Sequence, residues 1–464
     1  MENLLNFNSN SSIMQKRIHL IGIGGSGMYP LAQILHGKGV RLTGSDNNPT
    51  DTVEAVRKMG IKVFMSHSPD NVTGADLVVR SAAIKDDNPE IVAARDQGIT
   101  VIERADLLGA ITRHYDKAIC VSGTHGKTTV SSMLTYIFMS QNDRTSADIS
   151  AVIGGKLKIL DGGSGRMGAS DVMICEACEY ADTFLKLEPN ISLILNINCD
   201  HLEYFKTMEN LRLSFTKFCN LTKDVLVVNG DDENTVLAVN DSDFSGRIIT
   251  FGRKESNDYF PKNINGREFD LFGGGDFVAS IKLNIPGEHN ILNATAACAT
   301  ATAAGVDTKS LVKGLESFTG AGRRFETLGC INGVTVVDDY AHHPAEITAT
   351  LNAAKSMGWS RIWAVHQPFT YSRTKSMLDE FAKSLSIADK VTLTEIMGGR
   401  EIDNGDIFAE DLAKITKNCN WFGDFCDVCD YVVENSRPGD LIITLGCGDV
   451  NKISQMIVKN LKNF

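Results

Sequence analysis

The stretch Lys117–Ile137, KAICVSGTHGKTTVSSMLTYI, constrains this chain more than any other. Its apolar run from Ala118 to Val121 predicts a buried parallel strand, and an apolar period typical of a helix follows. Between them stand Gly123, Thr124, His125, Gly126, Lys127, Thr128 and Thr129. Glycines let the backbone turn tightly and aim N–H groups at an anion, while the helix N-terminus adds partial positive charge. Lys127 supplies a point charge for the β- and γ-phosphates, and the Thr128 hydroxyl can ligate Mg²⁺. The strict phosphate-loop pattern wants a glycine five residues before its Gly-Lys pair, where this chain has Val121. The strand–loop–helix context nevertheless predicts a nucleoside-triphosphate site.

At 464 residues the chain exceeds one domain, and at roughly 150 residues each, three are expected. Hydrophobic content of 43% and charged content of 22% suit a globular protein with sizeable cores. A formal charge of −11 argues against nucleic acid or an anionic membrane as the main partner. No segment approaches ~18 uninterrupted apolar residues, so no membrane insertion is expected. The start, MENLLNFNSNSSIMQKR, lacks a signal-peptide pattern and reads as a polar tail, and cytoplasmic placement is expected. Eleven scattered cysteines read as reduced core residues. The pairs Cys175/Cys178 and Cys426/Cys429 lack completing ligands at familiar spacing, so no zinc site is expected.

Along the chain, Ile18–Ile23 reads as a strand leading into Gly22, Gly24, Gly25, Ser26 and Gly27. A helix then runs to Gly37, and a second strand ends at Asp46. This is a dinucleotide-type fingerprint, with its third glycine one residue early, and it lets a diphosphate approach a helix N-terminus. Alternating elements continue to Thr112 as an open α/β sheet. After the phosphate loop, strand Asp171–Cys175 ends at Glu176, and Ile191–Ile197 leads to Asp200-His201. Ligands sit beyond the carboxyl ends of such strands, which would bring Glu176 and His201 near the phosphate loop. Glu176 suits Mg²⁺, which prefers oxygen ligands; His201 could hold a second ion or polarise a water. A β-rich insertion is expected from Ser245 to Ile285. Asn290 and Asn293 then share one helix face, placed either to read a base edge or to cap the helix. A third α/β unit follows Arg323-Arg324, with His342, His366 and Arg373 at or just beyond strand ends.

An enzyme that binds a nucleotide-linked substrate and spends ATP on it would use this whole inventory. The wording GTHGKTT, EACEYADTFLKLEPN, NINCDH, GEHNILNATAA, GAGRRFE and DDYAHHPAE resembles the Mur ligases of peptidoglycan synthesis over nearly the whole chain. The resemblance implies three α/β domains. These are a Rossmann-like UDP-substrate domain over 1–115, a central ATP domain over 116–320, and a Rossmann-like amino-acid domain over 321–464. It implies a substrate diphosphate at Gly22–Gly27 with Asp46, ATP at Gly123–Thr129, and Mg²⁺ held by Thr128, Glu176 and His201. Asn290, Asn293, Arg323 and Arg324 would contact the nucleotide, while His342 and Arg373 would meet the amino acid or the transferring phosphoryl group. The nearest branch joins L-alanine to UDP-N-acetylmuramate through an acyl phosphate, acting as a monomer or homodimer. Domain closure would shield that intermediate from water. A carbamylated lysine is not expected in this branch.

Two departures stand out. Where that branch usually reads Glu-Ala-Asp-Glu-Ser-Asp, this chain has Glu176-Ala177-Cys178-Glu179-Tyr180-Ala181. Where Gln-Pro-His-Arg-Tyr-Thr-Arg-Thr is common, Phe369 and Thr370 replace the histidine and first arginine. The amino acid, more than the reaction type, is therefore the open question. The alternatives are a sister ligase taking another amino acid or a recycled tripeptide, a sensor that binds without turnover, and a dehydrogenase with no task for the second loop.

Overall fold

The computed structural model describes residues 16–81, 84–399 and 401–462, less the side chains of 202 and 203. Residues 1–15 of the expected polar tail lie outside the described residues. Three sheets organise the chain, each layered with helices. The first consists of β1 Arg17–Ile21, β2 Arg41–Ser45, β3 Lys62–Phe64, β4 Leu77–Arg80 and β5 Thr100–Glu103. All five are parallel in the order β3-β2-β1-β4-β5, so the chain reverses direction across the sheet beside β1. Crossover helices α1 Tyr29–Gly37, α2 Asp51–Lys58, α3 Pro89–Asp96 and α4 Arg104–Thr112 follow the expected alternation.

The second sheet has ten strands: β6 Lys117–Ser122, β7 Ser150–Leu157, β8 Gly163–Arg166, β9 Val172–Glu176, β10 Ile191–Ile194, β11 Val225–Asn229, β12 Arg247–Phe251, β13 Tyr259–Asn265, β14 Glu268–Gly273 and β15 Asp276–Lys282. Its order is β15-β14-β13-β12-β11-β10-β6-β9-β7-β8, parallel through the middle and antiparallel at both ends. The strand β6 lies between β9 and β10, both later in sequence, which makes its carboxyl end a switch point where ligands bind. Helix α5 Lys127–Met139 leaves that point. The expected β-rich insertion is the antiparallel run β13–β15.

The third sheet runs β16-β17-β21-β18-β19-β20. It comprises β16 Glu326–Ile331, β17 Val334–Asp339, β18 Arg361–His366, β19 Lys390–Leu393, β20 Cys419–Trp421 and β21 Asp440–Leu445. All but the β16–β17 pairing are parallel.

Two compact units result. The first runs to Asn284 and takes up Ile291–Phe318; the second comprises Ile285–Asn290 and the chain from Thr319. In the first, one apolar core joins both sheets, from Ile18 and Leu20 to Cys120, Met173, Phe184 and Phe218. Gln33 of α1 reaches β8, its Oε1 accepting from Gly165 N at 2.8 Å and Ser164 N at 3.2 Å. The second unit has a separate core on each sheet face, around Phe381 and Leu385 on one side and Trp363 and Ile453 on the other.

Candidate active site

The phosphate loop leaves β6 through Gly123 (φ +130°) and enters α5 through Gly126 (φ +91°), backbone angles that favour glycine. Helices α2 and α3 are capped by the Thr50 and Asn88 side chains, but α5 has no side-chain cap. A helix N-terminus of this kind aims its first N–H groups towards an anion. Residues beyond β10 brace the loop. Asn196 Oδ1 accepts from His125 N at 2.9 Å, and its Nδ2 donates to His125 O at 3.0 Å. The Thr124 hydroxyl accepts from Asn198 N at 2.9 Å. A Cβ on Gly126 would come within 2.9 Å of Asn293 Oδ1, so Asn293 stands against the loop.

Lys127 turns back over this loop, donating to Gly123 O at 2.5 Å and pairing with the buried Glu179 carboxylate at 2.9 Å. Burial pushes its ammonium towards neutrality, but Glu179, with Cys178 and Glu176, outweighs that and raises its pKa. Burial also raises the Cys178 thiol, with Glu179 adding and Lys127 and Arg104 opposing. Thr128 is buried in the first turn of α5, and Thr129 is half-buried beside it.

Glu176, the last residue of β9, accepts from Thr128 Oγ1 at 3.2 Å, Ser131 Oγ at 3.1 Å and Gly154 N at 2.5 Å. A Cβ on Gly154 would lie 2.6 Å from Glu176 Oε2 and 3.0 Å from Thr128 Oγ1, so only glycine leaves this cradle open. A hydroxyl and a carboxylate side by side fit Mg²⁺, which completes its shell with water and phosphate oxygens. The His201 ring meets Tyr180 edge-on at 4.9 Å, and its Nε2 is 3.9 Å from Asp200 Oδ2. Among the described residues no three His, Cys, Asp or Glu side chains group to hold a metal.

The other glycine loop follows β1. Ser45 O accepts from Gly22 N at 2.8 Å and Ile23 N at 3.0 Å. Asp46, expected to face substrate, accepts from Gly24 N at 2.9 Å and so shapes the loop. Gly25 N donates back to Gly22 O at 3.0 Å, and Gly25 and Ser26 are exposed. A Cβ on Gly27 would come within 3.1 Å of Arg104 Nε, which lays that guanidinium along the loop.

In the second unit the polar residues gather at the carboxyl edge of the sheet. Arg323 donates to Asp338 at 3.0 Å and to Gly446 O at 2.7 Å, and both Arg323 and Arg324 lie 5.0 Å from the Tyr340 ring. Arg323 thus ties β17 to β21. Asp339 is buried, which raises its carboxyl to about 6 despite Arg324 and the amides of Ala341 and Phe325. His342 lies 3.2 Å from Glu346 and edge-on to Tyr340. Burial pushes the Cys447 thiol to about 12, opposed by Arg373 and Arg323. Arg373 is half-buried in the short helix Tyr371–Ser376. Phe369 packs on Gly399, where a Cβ would be 3.0 Å from its ring, and bridges to Met397. Asn290 belongs to this unit and donates to Pro286 O at 2.6 Å.

Lys127, Thr128, Glu176 and Asn293 therefore come together, as do Arg323, Arg324, His342 and Arg373 in the other unit. Sequence reasoning gave no task to Glu179, Asn196 or Arg104. Glu179 sits three residues beyond Glu176, and Arg104 opens a helix at a strand end, which were the available signals.

Comparison with known proteins closes the identification. Family models match in chain order: "Mur ligase family, catalytic domain" over 17–116, "Mur ligase middle domain" over 121–301, and "Mur ligase, glutamate ligase domain" over 323–448. The chain is 43% identical to the UDP-N-acetylmuramate–L-alanine ligase of Acetivibrio thermocellus, over 96% of each chain. It is 42% identical to that of Caldanaerobacter subterraneus subsp. tengcongensis, over 96% of this chain and 98% of the other. The solved UDP-N-acetylmuramate–alanine ligase of Thermotoga maritima superposes with a TM-score of 0.83 at 29% identity, over 97% of this chain and 99% of the other. A murein peptide ligase from Psychrobacter arcticus shares the fold at a TM-score of 0.74 and 24% identity, over 97% of this chain and 99% of the other. The three-domain α/β chain belongs to the Mur ligase family.

Proposed function

We propose that this protein joins L-alanine to the muramyl carboxylate of UDP-N-acetylmuramate at the expense of ATP. The observation that carries the reading is the phosphate loop with Lys127 and the Thr128–Glu176 pair, in a chain 43% identical over 96% of its length to a ligase of that name. The span 1–115 holds the UDP-sugar at Gly22–Gly27, with Arg104 beside the diphosphate. The span 116–320 holds ATP, and 321–464 delivers the amino acid.

ATP's phosphates lie on the amides of Gly123–Thr129. Lys127 exchanges loop carbonyls for phosphate oxygens and stabilises the charge that develops. Thr128 and Glu176 would hold Mg²⁺, which supplies further charge neutralisation when bound. A muramyl carboxylate oxygen attacks the γ-phosphorus as the bond to ADP breaks. The neutral alanine amine then attacks the acyl carbon, and phosphate leaves with that oxygen as the amide forms and the amine loses a proton. Arg373 and His342 meet the alanine carboxylate. Phe369 against Gly399 and Met397 makes an apolar wall suited to a small side chain. Nucleotide-linked substrates place the reaction in the cytoplasm.

The test is mass spectrometry of the UDP-sugar after incubation with Mg²⁺-ATP and, separately, L-alanine, glycine, L-serine or the L-Ala-γ-D-Glu-diamino-acid tripeptide. A gain of one alanine residue with stoichiometric ADP is expected. Turnover only with the tripeptide would move the chain to the sister activity, and binding without turnover would make it a sensor.

A further inference from the structure

The first sheet contains a buried polar network to which the ligase reading gives no task. Glu90, in the first turn of α3, is fully buried. Its Oε2 accepts from the Ser45 hydroxyl at 2.6 Å and lies 2.9 Å from His67 Nδ1; its Oε1 accepts from Asn71 Nδ2 at 2.6 Å. His19 Nε2 stands 3.5 Å from Oε1, close enough for electrostatics, and its Nδ1 lies 2.9 Å from Thr43 Oγ1. Burial alone would raise the Glu90 carboxyl, yet His19, Ser45 and Asn71 bring it down to about 2. Burying a carboxylate costs several kcal/mol before its partners are counted, and an apolar residue would fill the space without that cost. A network of this kind calls for a positional explanation.

Its output is visible in the backbone. Ser45 is the last residue of β2, and its carbonyl accepts from Gly22 N and Ile23 N, the residues that open the glycine loop. The next residue, Asp46, accepts from Gly24 N. Glu90 therefore grips the side chain of the residue whose main chain sets the loop. We propose that Glu90 is a positioning residue for the UDP-sugar: through Ser45 it anchors the Gly22–Gly24 backbone and so holds the glycine loop in the shape that receives the diphosphate. This rests on the reading of Gly22–Gly27 as the substrate loop.

The Ser45 hydroxyl and the Asn71 amide donate to opposite oxygens of Glu90, an arrangement that suits a carboxylate, because an amide in its place presents N–H groups to one of the two. Asn71 cannot turn to compensate without losing its bond to Ser66 O at 2.8 Å. In the full-length enzyme, Glu90→Gln and Ser45→Ala are each expected to raise KM for UDP-N-acetylmuramate by about tenfold, the low end for losing a hydrogen bond to a charged group. KM for ATP and kcat should stay within about twofold, as for lost uniform binding of one substrate. The double variant should be no worse than either single one, because both act along one path. Ser45→Ala removes only a hydroxyl and carries the test should Glu90→Gln fail to fold.

An unchanged KM for the UDP-sugar in folded variants, or equal rises for both substrates, overturns the proposal. Gly24→Ala separates the two readings, since its Cβ would lie 2.5 Å from Val53 Cγ2 and 3.0 Å from Asp46 Oδ2 and so disturb the loop directly. If calorimetry finds UDP binding intact in Gly24→Ala, the substrate-loop reading has failed and the Glu90 proposal falls with it. If Gly24→Ala weakens UDP binding and Glu90→Gln does not, only the positioning role is wrong.

Discussion

Lys127 has three partners: the carbonyls of Gly123 and Thr124 and the Glu179 carboxylate. Glu179 keeps the ammonium charged, and phosphate oxygens can take the place of the loop carbonyls. Lys127→Met should lower kcat by at least about a hundredfold, as removal of one charge-stabilising donor does, while UDP binding by calorimetry stays unchanged. A second residue-scale prediction concerns His366, buried at the end of β18 against Phe381 with Nδ1 on Leu445 O. Burial lowers its pKa from the ordinary 6.5 to about 4. Between these values the unfolded chain binds a proton that the folded chain does not. The contribution is therefore present above pH 6.5 and lost as pH falls towards 4. At pH 5 the loss is about 2 kcal/mol, and His366→Phe should abolish that part of the fall in denaturant midpoint between pH 7 and 5. Lys127, Thr128 and Glu176 were legible because a local pattern or a strand end marks them. Asn196 was not, since its bonds to His125 span 71 residues and nothing near it announces a partner.

At the scale of elements, apolar runs reveal the buried parallel strands, and β6, β9, β10, β11, β17, β18 and β21 all read directly from them. The hairpin β7–β8 does not, because Gly154-Gly155 interrupts the short apolar run of β7 and GSGR has no branched or aromatic residue to mark a strand. Packing explains the glycines: a Cβ on Gly165 would come within 2.4 Å of Pro30 O in α1. The short strands β3 and β20 escape notice for want of length. The same hairpin supplies Gly154, whose missing Cβ keeps the Thr128–Glu176 cradle open. Gly154→Ala should raise the Mg²⁺ concentration for half-maximal ADP release by about tenfold and leave KM for the UDP-sugar unchanged. A variant with the wild-type Mg²⁺ requirement would place the metal elsewhere.

For the whole molecule, the two compact units have separate cores, and all three tryptophans, Trp359, Trp363 and Trp421, lie in the second. UDP at a hundred times its Kd should stabilise the first unit by about 2.7 kcal/mol. The melting midpoint by far-UV circular dichroism should then rise more than that by tryptophan fluorescence. Equal shifts would mean that the units unfold as one. The most direct test of the ligase reading follows an atom through both units' chemistry. UDP-N-acetylmuramate labelled with ¹⁸O in its muramyl carboxylate is turned over with ATP and L-alanine, and the phosphate is analysed by mass spectrometry. Attack on ATP by the carboxylate, followed by attack of the amine, requires one labelled oxygen in each phosphate released and the other in the new amide. Phosphate free of label, or phosphate released at the same rate without L-alanine, would contradict it.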